Sequence, residues 1–138
     1  MNTLLSTELN WLVLTLLMTS LFWMPYIINR LIEQGILTAL WDQFGLTSTQ
    51  YEWAKRMMLA HTNAVENLVL FAPLVILIEI TQLNSEITAL ACMIYFFARL
   101  THFIVFTLAI PLLRVVSFLI GFGAQMILIL TLMGFQLS

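Results

Sequence analysis

The sequence is poor in charged residues. Its 138 residues include five Lys and Arg and seven Asp and Glu, so 9% are charged and the formal net charge is −2. An average soluble domain has roughly 25% charged residues. A chain with so few cations has no basic face that could follow a phosphate backbone, and this excludes nucleic acid as a partner.

Cysteine and histidine are also scarce, with one cysteine, Cys92, and two histidines. A single cysteine excludes an intrachain disulfide and any CxxC metal site. Two histidines and Glu66 on different helix faces do not make a ligand set, so no metal site is predicted. We expect Cys92 to be an inert thiol in the core, because its segment contains no nearby cation.

Apolar residues dominate the composition: they make up 62% of the chain, and the mean hydropathy is +1.01. A chain this short has too much surface to hide so many apolar residues from water. Four apolar stretches are each long enough to cross a hydrocarbon core of about 30 Å. The predicted spans are residues 9–32, 54–80, 86–109 and 113–137, within a single domain of residues 1–138.

The breaks after spans 2 and 3 are short, because they consist of residues 82–85 and a turn at Pro111. Short turns force neighbouring spans to run antiparallel. The sequence therefore predicts an all-α membrane protein with an up-down four-helix transmembrane bundle. Pro25 is expected to kink the end of span 1, and Thr49 with Glu52 is expected to form a capping box before span 2.

The cations predict the orientation of the bundle. Arg30, Lys55 and Arg56 flank the loop between spans 1 and 2, and Arg114 follows the turn between spans 3 and 4. Cytoplasmic loops carry an excess of Lys and Arg. We therefore expect an integral membrane protein with these two loops in the cytoplasm and both termini outside.

All four spans carry polar side chains in the half of the membrane next to these two loops. Ionisable residues inside a membrane are costly unless they are paired or face a wet cavity, so this layer is a candidate functional site. Its arginines outnumber its one well-placed carboxylate, Glu66, and guanidinium groups suit carboxylates or phosphates. The charge count points to a zwitterionic ligand with extra carboxylates. The predicted site residues are Arg30, Arg56, Asn63, Glu66, Arg99, His102 and Arg114.

The sequence leaves simpler interpretations open for several of these residues. Arg56 is also explained by a helix-end cation that reaches the lipid head groups. Arg99 is also explained as a structural counter-ion of Glu66, and His102 as a partner of Arg99. His61 lies on another helix face and is interpreted as a structural hydrogen-bonding residue.

The segment of residues 56–66, RMMLAHTNAVE, has the pattern RxxxAHxNxxE, and Arg99, His102 and Arg114 follow it. With these motifs, nearly the whole chain resembles the membrane-associated proteins in eicosanoid and glutathione metabolism, the MAPEG family. Residues 25–30, PYIINR, look like the bacterial branch of that family, and this resemblance implies an integral protein of a bacterial inner membrane. RxxxAHxNxxE is a fairly specific signal, whereas the RxxH of span 3 alone would be weak.

The resemblance implies a homotrimer that binds glutathione, as a co-substrate, between neighbouring subunits. The implied function is that of a glutathione-dependent transferase or peroxidase, which acts on lipophilic small-molecule electrophiles that enter from the membrane lipids. For the trimer, Ser117, Gly121 and Ala124 on span 4 offer small surfaces for close contact between helices.

The resemblance also implies a role for individual residues. Asn63 and Glu66 would hold the polar ends of glutathione, and Arg30 would contribute from span 1 of an adjacent subunit. His102 would bond along the ligand. Arg114 matches the arginine that stabilises the glutathione thiolate, and a nearby cation favours the ionised form of a thiol.

Among the positions that depart from the eicosanoid-making relatives, three lack a hydroxyl group. Phe106 and Phe118 stand where many of those relatives have tyrosine, and Val115 stands where the prostaglandin E synthase has serine. Each change removes a hydroxyl that could assist chemistry. These residues favour the alternative function, a non-catalytic membrane lipid-binding or scaffold protein of the same fold.

Overall fold

The computed structural model describes residues 4–45 and 48–135, and every helix or strand assigned within them is an α-helix. Residues 136 and 137, the predicted end of span 4, lie outside the described residues. The elements are α1 (Thr7–Leu21), α2 (Met24–Gln34), α3 (Ile36–Trp41), α4 (Glu52–Ile80), α5 (Glu86–Thr107) and α6 (Pro111–Leu132).

Four helical stretches are long and apolar enough to cross a membrane: Thr7–Gln34, which joins α1 and α2, and then α4, α5 and α6. Helix α4 packs against α1, α5 and α6, and α5 also packs against α1 and α6. The four stretches therefore form one bundle. The predicted all-α fold, a four-helix membrane bundle, is confirmed.

The first span is interrupted shortly before Pro25. Helix α1 ends at Leu21, Phe22 caps it, and α2 begins at Met24 with Pro25 in its first turn. Proline lacks a backbone N–H, and the first turn is where a helix tolerates it best. The kink expected from Pro25 is therefore present as a break that immediately precedes it.

Helix α5 begins with a capping box. The hydroxyl of Ser85 accepts from the Thr88 N–H at 3.2 Å, and the hydroxyl of Thr88 accepts from the Ser85 N–H at 2.8 Å. The capping box predicted from Thr49 and Glu52 is wrong, because no side chain in the described part of the chain caps α4. The Thr49 hydroxyl instead donates to Glu33 of α2 at 2.5 Å.

Two clusters of buried apolar side chains fill the bundle, one in each half of the membrane. In the first, Phe71 and Tyr95 stack with ring centroids 3.7 Å apart, and Cys92 is buried beside them as expected. In the second, Phe22 and Phe103 stack at the same separation of 3.7 Å. Such aromatic pairs contribute about 0.5–1.5 kcal/mol beyond the burial of their area. These two pairs hold α4, and the segment between α1 and α2, against α5.

Two carboxylates form hydrogen bonds between helices at the end of the bundle opposite the polar layer. Glu8 of α1 is buried and accepts from the Thr88 hydroxyl at 2.5 Å and the Ser85 N–H at 3.3 Å. Glu79 of α4 accepts from the Ser6 hydroxyl at 2.7 Å. These bonds fix the position of α1 along the bundle axis relative to α4 and α5, which carry most of the candidate site.

Candidate functional site

Arg99 lies at the centre of the candidate site. Its side chain is on α5, and the residue is only 2% exposed. Nη1 donates to Asn63 Oδ1 of α4 at 3.2 Å, and Nη2 donates to the carbonyl oxygen of Phe118 in α6 at 3.4 Å. The guanidinium also lies 5.4 Å from the Tyr95 ring centroid and 5.1 Å from that of Phe118, within cation–π distance. Arg99 therefore joins α4, α5 and α6 inside the membrane.

Gly121 makes room for Arg99 on α6. A Cβ atom on residue 121 would lie 2.7 Å from Nη2 and 2.9 Å from Nε of Arg99, so any larger side chain would displace the guanidinium. Ser117 and Ala124, on the same face of α6, are also buried within the chain. These small residues do allow the predicted close contact between helices, but it lies within the chain, so they offer no surface to another subunit.

Among residues 4–45 and 48–135, no carboxylate lies within 4.0 Å of the Arg99 nitrogens. Glu66, the counter-ion that the sequence suggested, is exposed on α4. The pairing of Glu66 with Arg99 is therefore wrong within the chain. The Arg99 guanidinium is therefore buried among neutral acceptors and aromatic rings without a carboxylate from the described chain, which is costly in a membrane.

The amide of Asn63 has a defined orientation. Its Oδ1 accepts from Arg99 Nη1 at 3.2 Å and from Asn67 Nδ2 at 3.4 Å. Arginine can only donate, so the oxygen faces Arg99 and the amide NH2 group points away from it. Glu66 follows three residues later, and such neighbours on a helix lie about 5–6 Å apart. Helix α4 thus presents the amide NH2 group of Asn63 and, three residues further along, the exposed carboxylate of Glu66.

A second layer of amides supports this face of α4. Asn67 Nδ2 donates to the carbonyl oxygen of Asn63 at 2.8 Å, and Gln125 Nε2 of α6 donates to the carbonyl oxygen of Asn67 at 3.1 Å. Asn67 and Gln125 are both buried. The bond from the Gln125 amide to the α4 backbone restricts the rotation of α4 against α6.

His102 connects α5 to the start of α6. The residue is buried, and its Nδ1 lies 3.0 Å from the carbonyl oxygen of Arg114. A carbonyl only accepts, so Nδ1 carries the proton and donates it to this bond. Nε2 is buried without a hydrogen-bond partner among the described residues. The bond to Arg114 takes the place of the pairing with Arg99 that the sequence left open.

Two phenylalanines link the charged groups of the site. The Phe118 ring centroid lies 5.1 Å from Arg99 Cζ and 5.9 Å from the His102 ring. The Phe106 ring centroid lies 4.8 Å from Arg114 Cζ and 5.7 Å from the His102 ring. Arg114 itself is exposed. Arg99, His102 and Arg114 therefore form one group, and the rings of Phe106 and Phe118 lie between its members.

Arg56 and Arg30 bond elsewhere. Arg56 Nε donates to the carbonyl oxygen of Thr107 at 2.9 Å, at the end of α5. Arg30 forms an ion pair with Asp42. The prediction that Glu66 is the one well-placed carboxylate of the layer is wrong, because Asp42 also reaches an arginine. The sequence contained a signal for this ion pair. Asp42 is an acid in the polar loop between spans 1 and 2, and the ends of both spans next to this loop carry cations.

His61 joins α4 to α2. Its Nδ1 lies 2.8 Å from the hydroxyl oxygen of Tyr26, and its ring forms a T-shaped contact with the Phe22 ring. This agrees with the structural role that the sequence indicated for His61. The sequence pattern also placed Gly121 on the polar face of span 4, but it carried no sign that this glycine faces Arg99 within the chain.

Residues 10–134 match the family model described as MAPEG family. The chain belongs to the MAPEG family. Comparison with curated proteins and with solved structures gave no match. With its four apolar helices, this MAPEG protein is an integral membrane protein. Membership associates it in general with membrane proteins of glutathione-related and lipid metabolism.

The candidate site of this MAPEG protein lies entirely within the matched residues. It combines an uncompensated guanidinium, an amide NH2 donor and an exposed carboxylate with the exposed cation of Arg114. In chemical terms, guanidinium groups and amide donors suit carboxylates, and a carboxylate suits an ammonium group.

Proposed function

We propose that this MAPEG protein is a glutathione-dependent transferase or peroxidase that acts on lipophilic electrophiles from the membrane. The observation that carries the proposal is the polar face of α4, where Asn63 presents a donor and Glu66 a carboxylate beside the uncompensated charge of Arg99. Glutathione has two carboxylates, an ammonium group and a thiol. A carboxylate or carbonyl oxygen suits the Asn63 NH2 group, and the ammonium group suits Glu66.

We further propose that the site is completed between subunits of a homotrimer. Glu66 is exposed within a membrane span. An ionised carboxylate that faces hydrocarbon is costly, and this supports a neighbouring subunit and a bound ligand as its cover. Arg30 would reach glutathione from the adjacent subunit, and Arg56 would use its terminal nitrogens, since its Nε is bonded to Thr107. Cross-linking in mild detergent is expected to produce trimers, and products that stop at a dimer would contradict the proposal.

The proposed chemical step is attack by the glutathione thiolate. The S–H bond breaks, the proton leaves to water, and the sulfur keeps the electron pair beside the exposed guanidinium of Arg114, which stabilises the charge. In the transferase reaction the sulfur then bonds to the electrophilic carbon, and the leaving group departs with its electron pair. His102 would bond to the ligand through Nε2, since its Nδ1 is bonded to the Arg114 carbonyl, and ligand binding would have to open access to this buried atom.

The orientation proposed for the bundle places this site in the cytoplasmic half of an inner membrane. Arg30, Lys55, Arg56 and Arg114 all lie at the ends of spans that adjoin the two loops assigned to the cytoplasm. Their distribution supports this orientation through the positive-inside rule. Glutathione would then enter from the cytoplasm and the lipophilic substrate from the bilayer.

A non-catalytic lipid-binding or scaffold protein is the second candidate function. The rings of Phe106 and Phe118, which carry no hydroxyl, pack against His102, and Phe106 also lies against Arg114. The residue that follows Arg114, Val115, has no hydroxyl either. Arg114 is then the only residue assigned to stabilise a thiolate. In this candidate function the same two rings contact lipid, and the protein does not turn over a substrate.

Two measurements on purified protein separate these functions. Calorimetry tests whether glutathione binds, and absorbance follows the turnover of 1-chloro-2,4-dinitrobenzene with glutathione. The first function predicts binding and turnover above the uncatalysed rate, with the turnover lost in Arg114→Ala. Binding without turnover of this substrate or of a lipophilic hydroperoxide would favour the second function. Absence of glutathione binding would contradict the first function.

A further inference from the structure

Helix α3 carries an exposed apolar face, although it lies outside the four membrane-crossing stretches. At 3.6 residues per turn, the four residues of this face fall within an arc of about 140°: Ile36, Leu37, Leu40 and Trp41. They are between 64% and 77% exposed, whereas Ala39, on the other side of the helix, is half-buried. The apolar stripe of a surface helix normally faces the core of its protein. The apolar face of α3 points away from its own chain instead.

A helix as short as α3 needs a layer that covers its apolar face. Isolated helices shorter than about 12–15 residues are marginal in water, and most helices in proteins are stabilised by the packing of one apolar face. Helix α3 has six residues; it packs against α2, yet none of its six residues is buried. The contact with α2 leaves the apolar face in the open, so its cover comes from outside the chain.

The depth of α3 follows from the ion pair between Arg30 of α2 and Asp42, the residue that ends α3. If α3 continued the axis of α2, the twelve residues between them would separate their Cα atoms by about 18 Å. The two side chains cannot bridge that distance. Gly35, with φ of +78°, turns the chain between the helices, and α3 comes back toward the level of Arg30. Since the first membrane-crossing stretch extends beyond Arg30 to Gln34, α3 lies at the membrane surface and does not project from it.

We propose that α3 is an interfacial helix, which lies in the plane of the membrane with its apolar face in the lipid at the base of the head groups. Interfacial helices bury such a face about 5–10 Å into this boundary, and tryptophan, here Trp41, is enriched there. The six residues of α3 include no charged side chain. The surface therefore recognises the apolar part of a lipid and not the charge of its head group. This docking surface is independent of the glutathione site.

Fluorescence quenching in phosphatidylcholine vesicles tests this proposal. Leu40→Cys is labelled with the fluorophore NBD on the apolar face, and Thr38→Cys, exposed on the other side of the same helix, is the matched control. Cys92 is buried, and wild-type protein treated with the same dye gives the background. A nitroxide near the head of the lipid acyl chain should quench the label at residue 40 several-fold more than the label at residue 38. Iodide in the water should show the opposite preference.

A charge on the apolar face should lift α3 from the lipid. Leu37→Asp is expected to raise iodide quenching of the label at residue 40 several-fold, because a carboxylate resists transfer into lipid, whereas Thr38→Asp should leave it unchanged. Both residues are exposed, so neither substitution disturbs the core.

Three results would overturn the proposal. Equal iodide quenching at residues 38 and 40 would mean that α3 lies in water. A label at residue 40 that neither iodide nor the nitroxide reaches would mean that protein, such as a second copy of the chain, covers the face. Docking that appears only when phosphatidylglycerol is added would mean that head-group charge, and not the apolar face, holds α3 at the membrane.

Discussion

Arg99 and Gly121 are in contact across the interface between α5 and α6, with the guanidinium in the space that a side chain at position 121 would need. A Cβ atom there would lie 2.7 Å from Nη2, 2.9 Å from Nε and 3.2 Å from Cζ of Arg99. The guanidinium is the end of a flexible side chain, but it is buried and bonded to Asn63 and Phe118. Its displacement therefore breaks the contacts that define the candidate site.

Gly121→Ala is expected to lower the free energy of unfolding by about 1–3 kcal/mol, which is the usual cost of overpacking a core. Thermal unfolding in detergent measures the change. Gly123→Ala is the matched control, because a Cβ at position 123 meets no atom within 4 Å. That control should be neutral or stabilising by up to about 1 kcal/mol, since alanine favours a helix over glycine. Equal effects of the two substitutions would contradict the close contact with Arg99.

Asn63→Asp is expected to separate stability from binding. The new carboxylate keeps the bond from Arg99 and adds a charge to it, so the unfolding temperature should be unchanged or higher. The NH2 donor is lost, so the affinity for glutathione should fall more than tenfold, as for a charged hydrogen bond of about 1.5–3 kcal/mol. Unfolding scans and calorimetry check both effects. Retained affinity would mean that Asn63 does not donate to the ligand.

Glu66→Gln is expected to weaken glutathione binding by about 1.5–3 kcal/mol, because the charged acceptor for the ammonium group becomes neutral. Calorimetry with folded, purified variant gives the affinity. Glu86→Gln serves as the control, since Glu86 is an exposed acid in the first turn of α5, at the opposite end of the bundle. If Glu66→Gln binds glutathione as the wild type does, Glu66 is not part of the site.

Arg114→Ala is expected to remove the thiolate while much of the binding remains. A cation beside the sulfur should let bound glutathione ionise near neutral pH, whereas a free thiol has a pKa of about 8.5. Difference absorbance between pH 5 and 9 detects the thiolate. Arg114→Lys should restore part of the signal, because an ammonium group keeps the charge without the planar fork. Wild-type protein that binds glutathione but shows no thiolate at pH 7–8 would favour the non-catalytic function.

The course of the chain through the membrane could be predicted because it depends on local properties. A run of apolar residues must form a helix in lipid, where backbone groups have no water to bond. Four such runs therefore predicted the bundle, and Pro25 predicted the break in the first span. Cys92 and His61 were also correctly interpreted, one as a buried thiol and the other as a structural hydrogen-bonding residue.

The partners of the polar residues were decided by the packing of the helices. Helical periodicity placed Arg99 and Glu66 in the same half of the membrane, but the rotation of α4 exposes Glu66 and turns Asn63 toward Arg99. The sequence by itself thus determined a four-helix membrane bundle with polar side chains in one half of it. Only the tertiary structure decided which groups meet, because a contact depends on helix rotation and on the few ångströms that a glycine such as Gly121 leaves open.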